Sequence, residues 1–476
     1  MESSVLTLAD LVEAIKGIRP DNTNLPVSEA VVDSRQAIPA SLFIATAGEK
    51  TDGHAFIQAA FNKGAHLALI DKEIQSDIPV VDLRSPLTPG FVFPEPPFAL
   101  MVDNTIVALQ QAAAFWRSKF NLQVIGITGS VGKSTTKELT SELLGQRFHT
   151  LKNQGNYNNE IGLPLTLLQL SPAHQCAVLE MGFYQPGDIE FLCNMAKPQV
   201  GIVTNIGTVH ASRSKTQKAI AQGKSELVQA LPASPEGTAI LNLDDPLVAA
   251  MASQTSANVL CYGLNPQADL WADQIESHGL DGIRFRIHSG HESFNMHAPL
   301  IGSHSVHTIL RAVAAALVEG LSWGEIVLGL QQASSQLRLL VAHTRQGALL
   351  LDDTYNASPE SMLAALNLLA ELPGRKIAVL GGMNELGQYE AIGHQKVGVR
   401  VAEVADQLIT YQQNAKMIST AALQAGLSSS AVVNLEDSES VVSLLDSSLT
   451  RGDVVLIKGA HGLRMDKIVQ ALEIEE

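Results

Sequence analysis

Short apolar runs alternate with amphipathic stretches through the middle of this chain, from residue 122 to residue 264. Runs of this length between helical stretches are typical of parallel strands that are buried on both faces. The pattern predicts a doubly wound, mostly parallel sheet. Its strand-like runs are VIGIT (124–128), AVLEM (177–181), VGIVTNI (200–206), TAILNL (238–243) and VLCYGL (259–264).

A second series of the same kind begins near residue 347 and predicts a C-terminal, Rossmann-like α/β domain. Between the two series, residues 266–300 are more polar and alternate, which predicts a small antiparallel appendage, and a helix-like segment covers 306–319. The strand-like runs of the second series are 348–353, 376–382, 407–411, 431–435 and 453–459.

The first hundred residues predict a small α/β module. A helical pattern covers 6–18, strand-like runs lie at 42–45 and 67–70, and the proline-rich stretch 86–97 predicts a loop or linker. A further helical pattern covers 105–120. We therefore expect an α/β protein of three domains, at residues 1–101, 102–337 and 338–476.

Composition narrows the class of protein. The chain has 476 residues, of which 46% are apolar, and no uninterrupted apolar stretch approaches the roughly 20 residues of a membrane-spanning helix. The net charge of −16 argues against nucleic-acid binding, which depends on clustered Lys and Arg. The three cysteines show no metal or disulfide spacing, and the first residues show no signal segment. We expect a cytoplasmic monomer without membrane insertion.

Residues 124–140 (VIGITGSVGKSTTKELT) form a strand, a glycine-rich turn and a helix start in the predicted order. Glycines let backbone N–H groups approach phosphate oxygens, and a helix N-terminus adds a positive end. Lys133 can reach the β- and γ-phosphates, and the Ser134 hydroxyl can ligate Mg²⁺. A strict phosphate-loop pattern requires Gly where Ile127 stands. The alternative interpretation of this segment is therefore an ordinary strand-to-helix turn that binds no phosphate. We predict an ATP-binding loop made of Gly129, Ser130, Val131, Gly132, Lys133, Ser134 and Thr135.

The TGSVGKS variant of this loop resembles that of the ATP-dependent Mur ligases of peptidoglycan synthesis, and other segments resemble that family in the same order. The resemblance runs over nearly the whole chain, and its first and last segments resemble the branch that adds D-alanyl-D-alanine. The segments are VVDSRQAIPASLFIATAGEKTDGHAFI (31–57), NYNNEIGLPLTLL (156–168), LEMGFYQPGDI (179–189), NIGTVH (205–210) and DDTYNASPESM (352–362).

The resemblance implies an ATP- and Mg²⁺-dependent reaction. A carboxylate of the UDP-N-acetylmuramoyl-tripeptide is phosphorylated, and the amine of D-Ala-D-Ala attacks the acyl phosphate. Because a carboxylate must approach a triphosphate, cations have to neutralise the repulsion. The resemblance assigns catalysis to Lys133, Glu180, His210 and Lys224, and metal ligation to Ser134, Glu180, His210 and Lys224. Lys224 falls where the family carries a carbamylated lysine.

Further binding roles follow from the same resemblance. It implies that Arg338, Asp353 and Asn356 contact ATP. It also implies a uridine-nucleotide site in the first domain and a site for the incoming dipeptide in the third. The implied substrate-binding residues are Ser34, Arg35, Asp52, Gly53, His54, Asn158, Tyr355 and Lys458.

Several positions depart from the family pattern. Ser305 and Thr308 stand where two asparagines are usual, one of them near the adenine, and Gly382 stands where Asp is usual. Ser212 and His461 replace a Glu and an Arg. Two alternatives therefore stay open. One is a Mur-type or folylpolyglutamate-like ligase with another amine donor, and the other is a nucleotide-binding module without catalysis. The third residue of the tripeptide is also open.

Overall fold

The computed structural model describes residues 5–21, 23–48, 51–74, 77–88, 90–208, 212, 216–332 and 340–474. The chain groups into two compact units. The first comprises 1–126, 148–182 and 188–199, and the second comprises 127–147, 183–187 and 200–476. The described residues include no helix that is long and apolar enough to cross a membrane.

The N-terminal module is a five-stranded parallel sheet with the strand order β1-β2-β3-β5-β4. The described residues of the proline-rich stretch, 86–88 and 90–97, lie between β4 and β5 as a loop, as predicted. In chain order the elements are α1 (Leu8–Lys16), β1 (Ala30–Val31), β2 (Leu42–Ile44), α2 (Ile57–Asn62), β3 (Leu67–Ile70), β4 (Val80–Asp82), β5 (Phe98–Met101) and α3 (Thr105–Ser118).

Helix α1 is shorter than the apolar pattern over 6–18 predicts, because both of its ends are capped. Thr7 accepts a hydrogen bond from the Asp10 N–H at 3.3 Å, and Asp10 accepts one from the Thr7 N–H at 2.9 Å. This reciprocal pair is a capping box. Gly17 ends the helix in the left-handed region, with φ of 70°.

The central part of the chain alternates strands and helices, as the apolar runs predict. Its elements are β6 (Gln123–Thr128), α4 (Lys133–Leu144), β7 (Thr150–Lys152), α5 (Gly162–Leu167), β8 (Cys176–Glu180), α6 (Asp188–Ala196), β9 (Val200–Val203), α7 (Gln217–Gln229), β10 (Thr238–Asn242), α8 (Pro246–Ala249), β11 (Asn258–Gly263), β12 (Leu270–Ser277), β13 (Ile283–Ser289), β14 (Glu292–Ala298), α9 (Ser305–Val318) and α10 (Trp323–Gln332).

The central strands are mostly parallel. In the first unit β7 pairs with β8 in parallel. In the second unit β9, β10, β11 and β12 lie side by side in parallel, and β12, β13 and β14 form an antiparallel extension. The predicted antiparallel appendage over 266–300 is therefore confirmed. It continues the sheet through β12.

The C-terminal part of the second unit is a six-stranded sheet with the order β15-β16-β20-β17-β18-β19, in which only the edge pair β15–β16 is antiparallel. Its elements are β15 (Leu340–His343), β16 (Leu349–Asp353), α11 (Pro359–Glu371), β17 (Lys376–Gly381), α12 (Glu390–Val404), β18 (Gln407–Tyr411), α13 (Lys416–Gln424), β19 (Val432–Leu435), α14 (Ser438–Ser448), β20 (Val454–Lys458) and α15 (Asp466–Leu472).

This C-terminal sheet carries a core on each face, because successive side chains of a strand point to opposite sides. In β17, Ala378 and Leu380 pack in one core with α11 and α12, while Ile377 and Val379 pack in the other with α14 and α15. The doubly wound α/β architecture in three domains is thus confirmed. The boundaries at 101/102 and 337/338 remain predictions.

Candidate active site

The turn between β6 and α4 needs glycine at two positions. Gly129 and Gly132 have φ of 142° and 82°, in the region that side chains disfavour. A Cβ on Gly129 would lie 1.8 Å from the Thr204 hydroxyl oxygen. Gly132 is the N-cap of α4 and has no side chain to cap it, so the positive end of the helix can receive an anion.

The segment that follows β9 holds this turn in place. Asn205 accepts from the Ser130 N–H through its carbonyl at 2.9 Å and from the Val131 N–H through Oδ1 at 3.0 Å. Its Nδ2 donates to the Val131 carbonyl at 3.1 Å. Ser130 Oγ also accepts from the Gly207 N–H at 2.8 Å. A backbone anchored in this way is organised before any ligand binds.

Two lysines predicted to be catalytic meet at one carbonyl of the turn. Lys133 Nζ donates to the carbonyls of Gly129 at 2.9 Å and Ser130 at 3.3 Å. Lys224 Nζ, from the middle of α7, donates to the Gly129 carbonyl at 2.8 Å and lies 4.9 Å from the centre of the Phe183 ring. Lys224 is only 1% exposed. The fold therefore concentrates positive charge at the phosphate-loop sequence.

In the first unit, Glu180 ends β8 as a buried carboxylate. Its Oε1 accepts from Asn158 Nδ2 at 2.7 Å. The side chain of Asn153 accepts from the Glu180 N–H and donates to its carbonyl, both at 2.9 Å. The fold thus brings together two predicted site residues, Glu180 and Asn158. The buried Asn153 side chain supports the backbone of Glu180, and this residue was not predicted from the sequence.

The Ser34 and Arg35 candidates lie in a turn after β1. The Arg35 side chain is 87% exposed and pairs with Asp33 at 2.8 Å. Lys63 Nζ donates to the Arg35 carbonyl at 2.6 Å, which ties the turn to the end of α2. Ser34 is partly buried.

The Asp52–Gly53–His54 candidates form a second polar cluster of the first unit. His54 Nδ1 lies 2.8 Å from Asp52 Oδ1, and its Nε2 lies 3.2 Å from Asp71 Oδ1. The hydrogen bond from Lys72 is the main cause that holds the pKa of Asp52 well below its usual range. Gly53 is required, because a Cβ there would lie 2.7 Å from the Thr46 nitrogen.

In the C-terminal sheet, Asp353 and Lys458 end the neighbouring parallel strands β16 and β20 in register. Lys458 Nζ lies 2.7 Å from Asp353 Oδ2 and donates to the Asn356 carbonyl at 2.8 Å. Burial raises the pKa of Asp353, and the attraction of Lys458 opposes that shift without cancelling it. The pair places a cation and a carboxyl at the strand ends, where α/β sheets bind ligands.

Two neighbouring candidates have different surroundings. Tyr355 is 60% exposed, and its ring packs edge-on against His461 with centroids 6.1 Å apart. Asn356 Oδ1 accepts from the Ala357 N–H at 2.8 Å. Asn356 therefore shapes the turn before α11, while Tyr355 presents a ring surface.

A cavity of about 760 Å³ lies within the second unit, between the phosphate-loop turn, α9 and the strand ends of the C-terminal sheet. Its size is that of a small-molecule site. It brings together the predicted residues Val131, Gly132, Thr135, Asp353, Tyr355 and Lys458. The rest of its wall includes Asn205, Asn242, His304, Ser305, His307, Thr308, Arg311, Glu360 and His461.

Three of the positions that depart from the family pattern, Ser305, Thr308 and His461, line this cavity. Thr308 Oγ1 accepts from Arg311 Nη2 at 2.8 Å, and Ser305 Oγ donates to the Ile301 carbonyl at 2.7 Å. A Cβ on Gly382 would lie 2.8 Å from the Asn414 Cβ, so an Asp there would displace that neighbour.

Glu360, in the first turn of α11, was missed by sequence reasoning. Its Oε1 accepts from the Thr208 N–H at 3.1 Å and from the Thr208 hydroxyl at 3.3 Å. Gly207 makes room for it, because a Cβ on Gly207 would lie 2.8 Å from the Glu360 Cδ. The only sequence signal was an acidic residue after Pro359 at a helix start.

Two predicted residues, His210 and Arg338, lie outside the described residues. The part of the chain that is described holds no group of three or more His, Cys, Asp or Glu side chains that could bind a metal. The predicted metal ligands Ser134 and Lys224 lie in the second unit, and Glu180 lies in the first.

A strand, a glycine turn and a helix with Lys133 at its start, beside a cavity of nucleotide size, define an α/β protein of the phosphate-loop class. Comparison with known proteins then gives the family. The chain matches the models described as Mur ligase family catalytic domain (residues 27–88), Mur ligase middle domain (127–316) and Mur ligase, glutamate ligase domain (337–461). The chain belongs to the Mur ligase family.

Full-length relatives refine this placement. The chain is 35% identical to a UDP-N-acetylmuramoyl-tripeptide--D-alanyl-D-alanine ligase of Synechocystis sp., over 100% of this chain and 96% of the relative. Crystal structure I of MurF from Acinetobacter baumannii is similar with a TM-score of 0.82 and 28% identity, over 98% and 99% of the two chains. MurF from Thermotoga maritima in complex with ADP has a TM-score of 0.77 and 26% identity, over 93% and 96%.

Proposed function

We propose that this protein is an ATP-dependent ligase that joins D-alanyl-D-alanine to UDP-N-acetylmuramoyl-tripeptide in peptidoglycan precursor synthesis. The observation that carries the proposal is the likeness to D-alanyl-D-alanine ligases over the entire chain, which includes the first hundred residues as well as the ATP-type loop. Both substrates are water-soluble small molecules. The ligase works as a monomer in the cytoplasm, where ATP is supplied.

The reaction requires a carboxylate oxygen of the tripeptide to attack the γ-phosphorus of ATP, which breaks the bond between that phosphorus and the β,γ-bridging oxygen, releases ADP and leaves an acyl phosphate. The amine of D-Ala-D-Ala then attacks the acyl carbon, and inorganic phosphate leaves with one oxygen of that carboxylate. Lys133 and the N-terminus of α4 supply positive charge that lowers the repulsion between carboxylate and triphosphate, and Lys224 adds to it as long as it is an unmodified ammonium. Lys133 leaves the Gly129 carbonyl to neutralise the phosphates, while buried Lys224 stays beneath the loop.

Magnesium would be held by Ser134, Glu180, His210 and Lys224. The donor set fits in part, because Glu180 is a buried carboxylate held in one orientation by Asn158. A lysine ammonium has donors only, so Lys224 would ligate a metal only after conversion to a carbamate. When bound, Mg²⁺ supplies further neutralisation of phosphate charge.

Binding is divided among three domains, at residues 1–101, 102–337 and 338–476. In the first domain, Ser34, Arg35, Asp52, Gly53 and His54 hold the uridine diphosphate part. Asn158 contacts the muramoyl substrate. In the third domain, Arg338, Asp353 and Asn356 contact ATP, and Tyr355 and Lys458 receive the incoming dipeptide. Lys458 suits the dipeptide carboxylate, because its ammonium is buried beside a carboxyl whose pKa is raised.

Phosphate release tests this proposal. Purified protein is incubated with ATP, Mg²⁺, the UDP-tripeptide and D-Ala-D-Ala, and each component is left out in turn. Release only in the complete mixture is expected. Release that needs no dipeptide, or none in the complete mixture, would contradict the proposal. Two tripeptides, with Lys or diaminopimelate at the third position, are supplied in parallel.

A ligase of the same family with another amine donor is the second candidate. One observation favours it, since His461 and Tyr355 form part of the cavity wall and His461 stands where the family pattern has Arg. A screen of single amino acids, glutamate included, against D-Ala-D-Ala separates the two candidates. Turnover with a single amino acid that exceeds turnover with the dipeptide would favour the second.

A further inference from the structure

Arg311, on α9, is a buried guanidinium beside the phosphate-loop turn. It is 4% exposed. Its Nη2 donates to the Gly132 carbonyl at 3.3 Å and to Thr308 Oγ1 at 2.8 Å, and its Nε donates to Thr136 Oγ1 at 2.5 Å. The side chain therefore connects α9 with the N-cap and first turn of α4.

All three of these acceptors are uncharged. Within the described residues, no carboxylate lies at ion-pairing distance from the Arg311 guanidinium. A buried charge without a counter-charge costs free energy. Arg311 also lines the cavity next to Gly132 and Thr135. Its positive charge is therefore accessible to a ligand that binds in the part of the cavity at the start of α4.

Burial of an arginine is not in itself a sign of a ligand, as Arg117 shows. Arg117 is 6% exposed and donates to the carbonyls of Ala196 at 3.0 Å and Phe120 at 2.7 Å. It lies in the first unit and is not part of the cavity wall. The two side chains share burial and uncharged acceptors, and they differ in their access to the cavity. Arg117 is therefore the matched control for Arg311.

We propose that Arg311 is a nucleotide-binding residue whose counter-charge is the phosphate chain of the nucleotide, and that it holds Gly132 and Thr136 in position for that ligand. The inference rests on the proposed function in one respect, since it requires ATP in this cavity. Thr308, one of the departures from the family pattern, belongs to the same arrangement because it accepts a hydrogen bond from the guanidinium.

The proposal predicts that loss of the Arg311 charge lowers the affinity for ATP but has little effect on the melting temperature of the nucleotide-free protein. Removing a charge that phosphate balances weakens ATP binding by about 10- to 100-fold. In the nucleotide-free protein, the gain from losing an unpaired buried charge offsets the loss of the three Arg311 hydrogen bonds, so the melting temperature changes little. Adenosine has no phosphate, so its affinity stays unchanged. A merely structural arginine would show the reverse, with a lower melting temperature and equal losses for ATP and adenosine.

The experiment compares wild type with Arg311→Met, Arg311→Lys and Arg117→Met. Calorimetry with Mg²⁺ and ATP, competition by adenosine, and the melting temperature without nucleotide are measured for each. We expect weak ATP binding for Arg311→Met, partial recovery for Arg311→Lys because the charge is kept, and wild-type ATP affinity for Arg117→Met.

Three results would overturn the inference: wild-type ATP affinity in Arg311→Met, equal weakening of ATP and adenosine, or a loss of ATP affinity in Arg117→Met as large as in Arg311→Met. If Arg311→Met does not fold, Arg311→Gln replaces it, since glutamine keeps hydrogen-bond donors and removes the charge. Wild type that binds no ATP would count against the proposed function itself.

Discussion

Lys133 and Lys224 donate to the same backbone oxygen, the carbonyl of Gly129, at 2.9 Å and 2.8 Å. One lysine begins α4 and the other lies in the middle of α7. Two ammonium groups repel one another, and the shared carbonyl dipole offsets that repulsion. A polyphosphate at the turn would offset it further.

Lys133→Ala is expected to reduce turnover by about 100-fold or more, because an electrostatic contact to the transferred phosphate is lost. The fold should be retained, since Lys133 is only partly buried and donates to carbonyls of the loop. Steady-state phosphate release and thermal unfolding check the two statements. Near-normal turnover would contradict the role assigned to Lys133.

Lys224→Ala is expected to reduce both turnover and stability. Lys224 is 1% exposed, so its removal leaves a void under the loop and takes one donor from the Gly129 carbonyl. The control is Lys218→Ala, an exposed lysine on the same helix. Turnover and melting temperature are measured for both variants. If Lys224→Ala and Lys218→Ala changed turnover and melting temperature equally, the role assigned to Lys224 would be contradicted.

Gly207→Ala is expected to reduce turnover about tenfold or more. Its Cβ would lie 2.8 Å from the Glu360 Cδ, so the Glu360 carboxylate would have to turn away from the Thr208 N–H and hydroxyl that it contacts. Gly324→Ala, in helix α10, meets only the Ser322 hydroxyl at 3.9 Å and should keep activity with equal or greater stability. Turnover at saturating substrates is measured for both variants. Full activity of Gly207→Ala would contradict a role in turnover for the contact between Glu360 and Thr208.

Glu325 gives a prediction about acid stability. The hydrogen bond from Arg147, with Nη2 at 2.6 Å from Oε2, lowers the pKa of Glu325 to about 2. A depressed carboxyl pKa stabilises the fold above the ordinary pKa of about 4.5, and this stabilisation disappears as pH falls towards 2.

The matching variant is Glu325→Gln, measured by urea unfolding from about pH 7 to about pH 3. It should be less stable than wild type at neutral pH, and the difference should narrow below about pH 4.5. Glu292→Gln, at an exposed position of β14, serves as the control and should show no such trend. A difference for Glu325→Gln that does not change with pH would contradict the ion-pair account.

The fold could be predicted from the sequence where strands are buried on both faces. Runs such as KIAVLGG carry apolar residues for two cores at once, so β17 and its neighbours are visible in the pattern. Strands of two or three residues, such as β1 and β4, leave too short a pattern. The edge strand β15 was also missed, since it is defined by its antiparallel partner β16 rather than by its own period.

The candidate site was predictable where chemistry is local to one segment, as in Gly129–Ser134. The residues that organise it come from distant segments and carry no local signal. Asn205 anchors the turn through its backbone and amide, and Arg311 reaches it from α9. Polar residues of this kind are indistinguishable from surface residues until the fold brings them together.

The central claim is that ATP activates a carboxylate of the tripeptide before the dipeptide amine attacks it. The direct test labels that carboxylate with heavy oxygen and analyses the released phosphate and the ligated product by mass spectrometry. The account predicts one heavy oxygen in the phosphate for each D-alanyl-D-alanine joined, and no such transfer in Lys133→Ala. Ligated product formed together with unlabelled phosphate would contradict it.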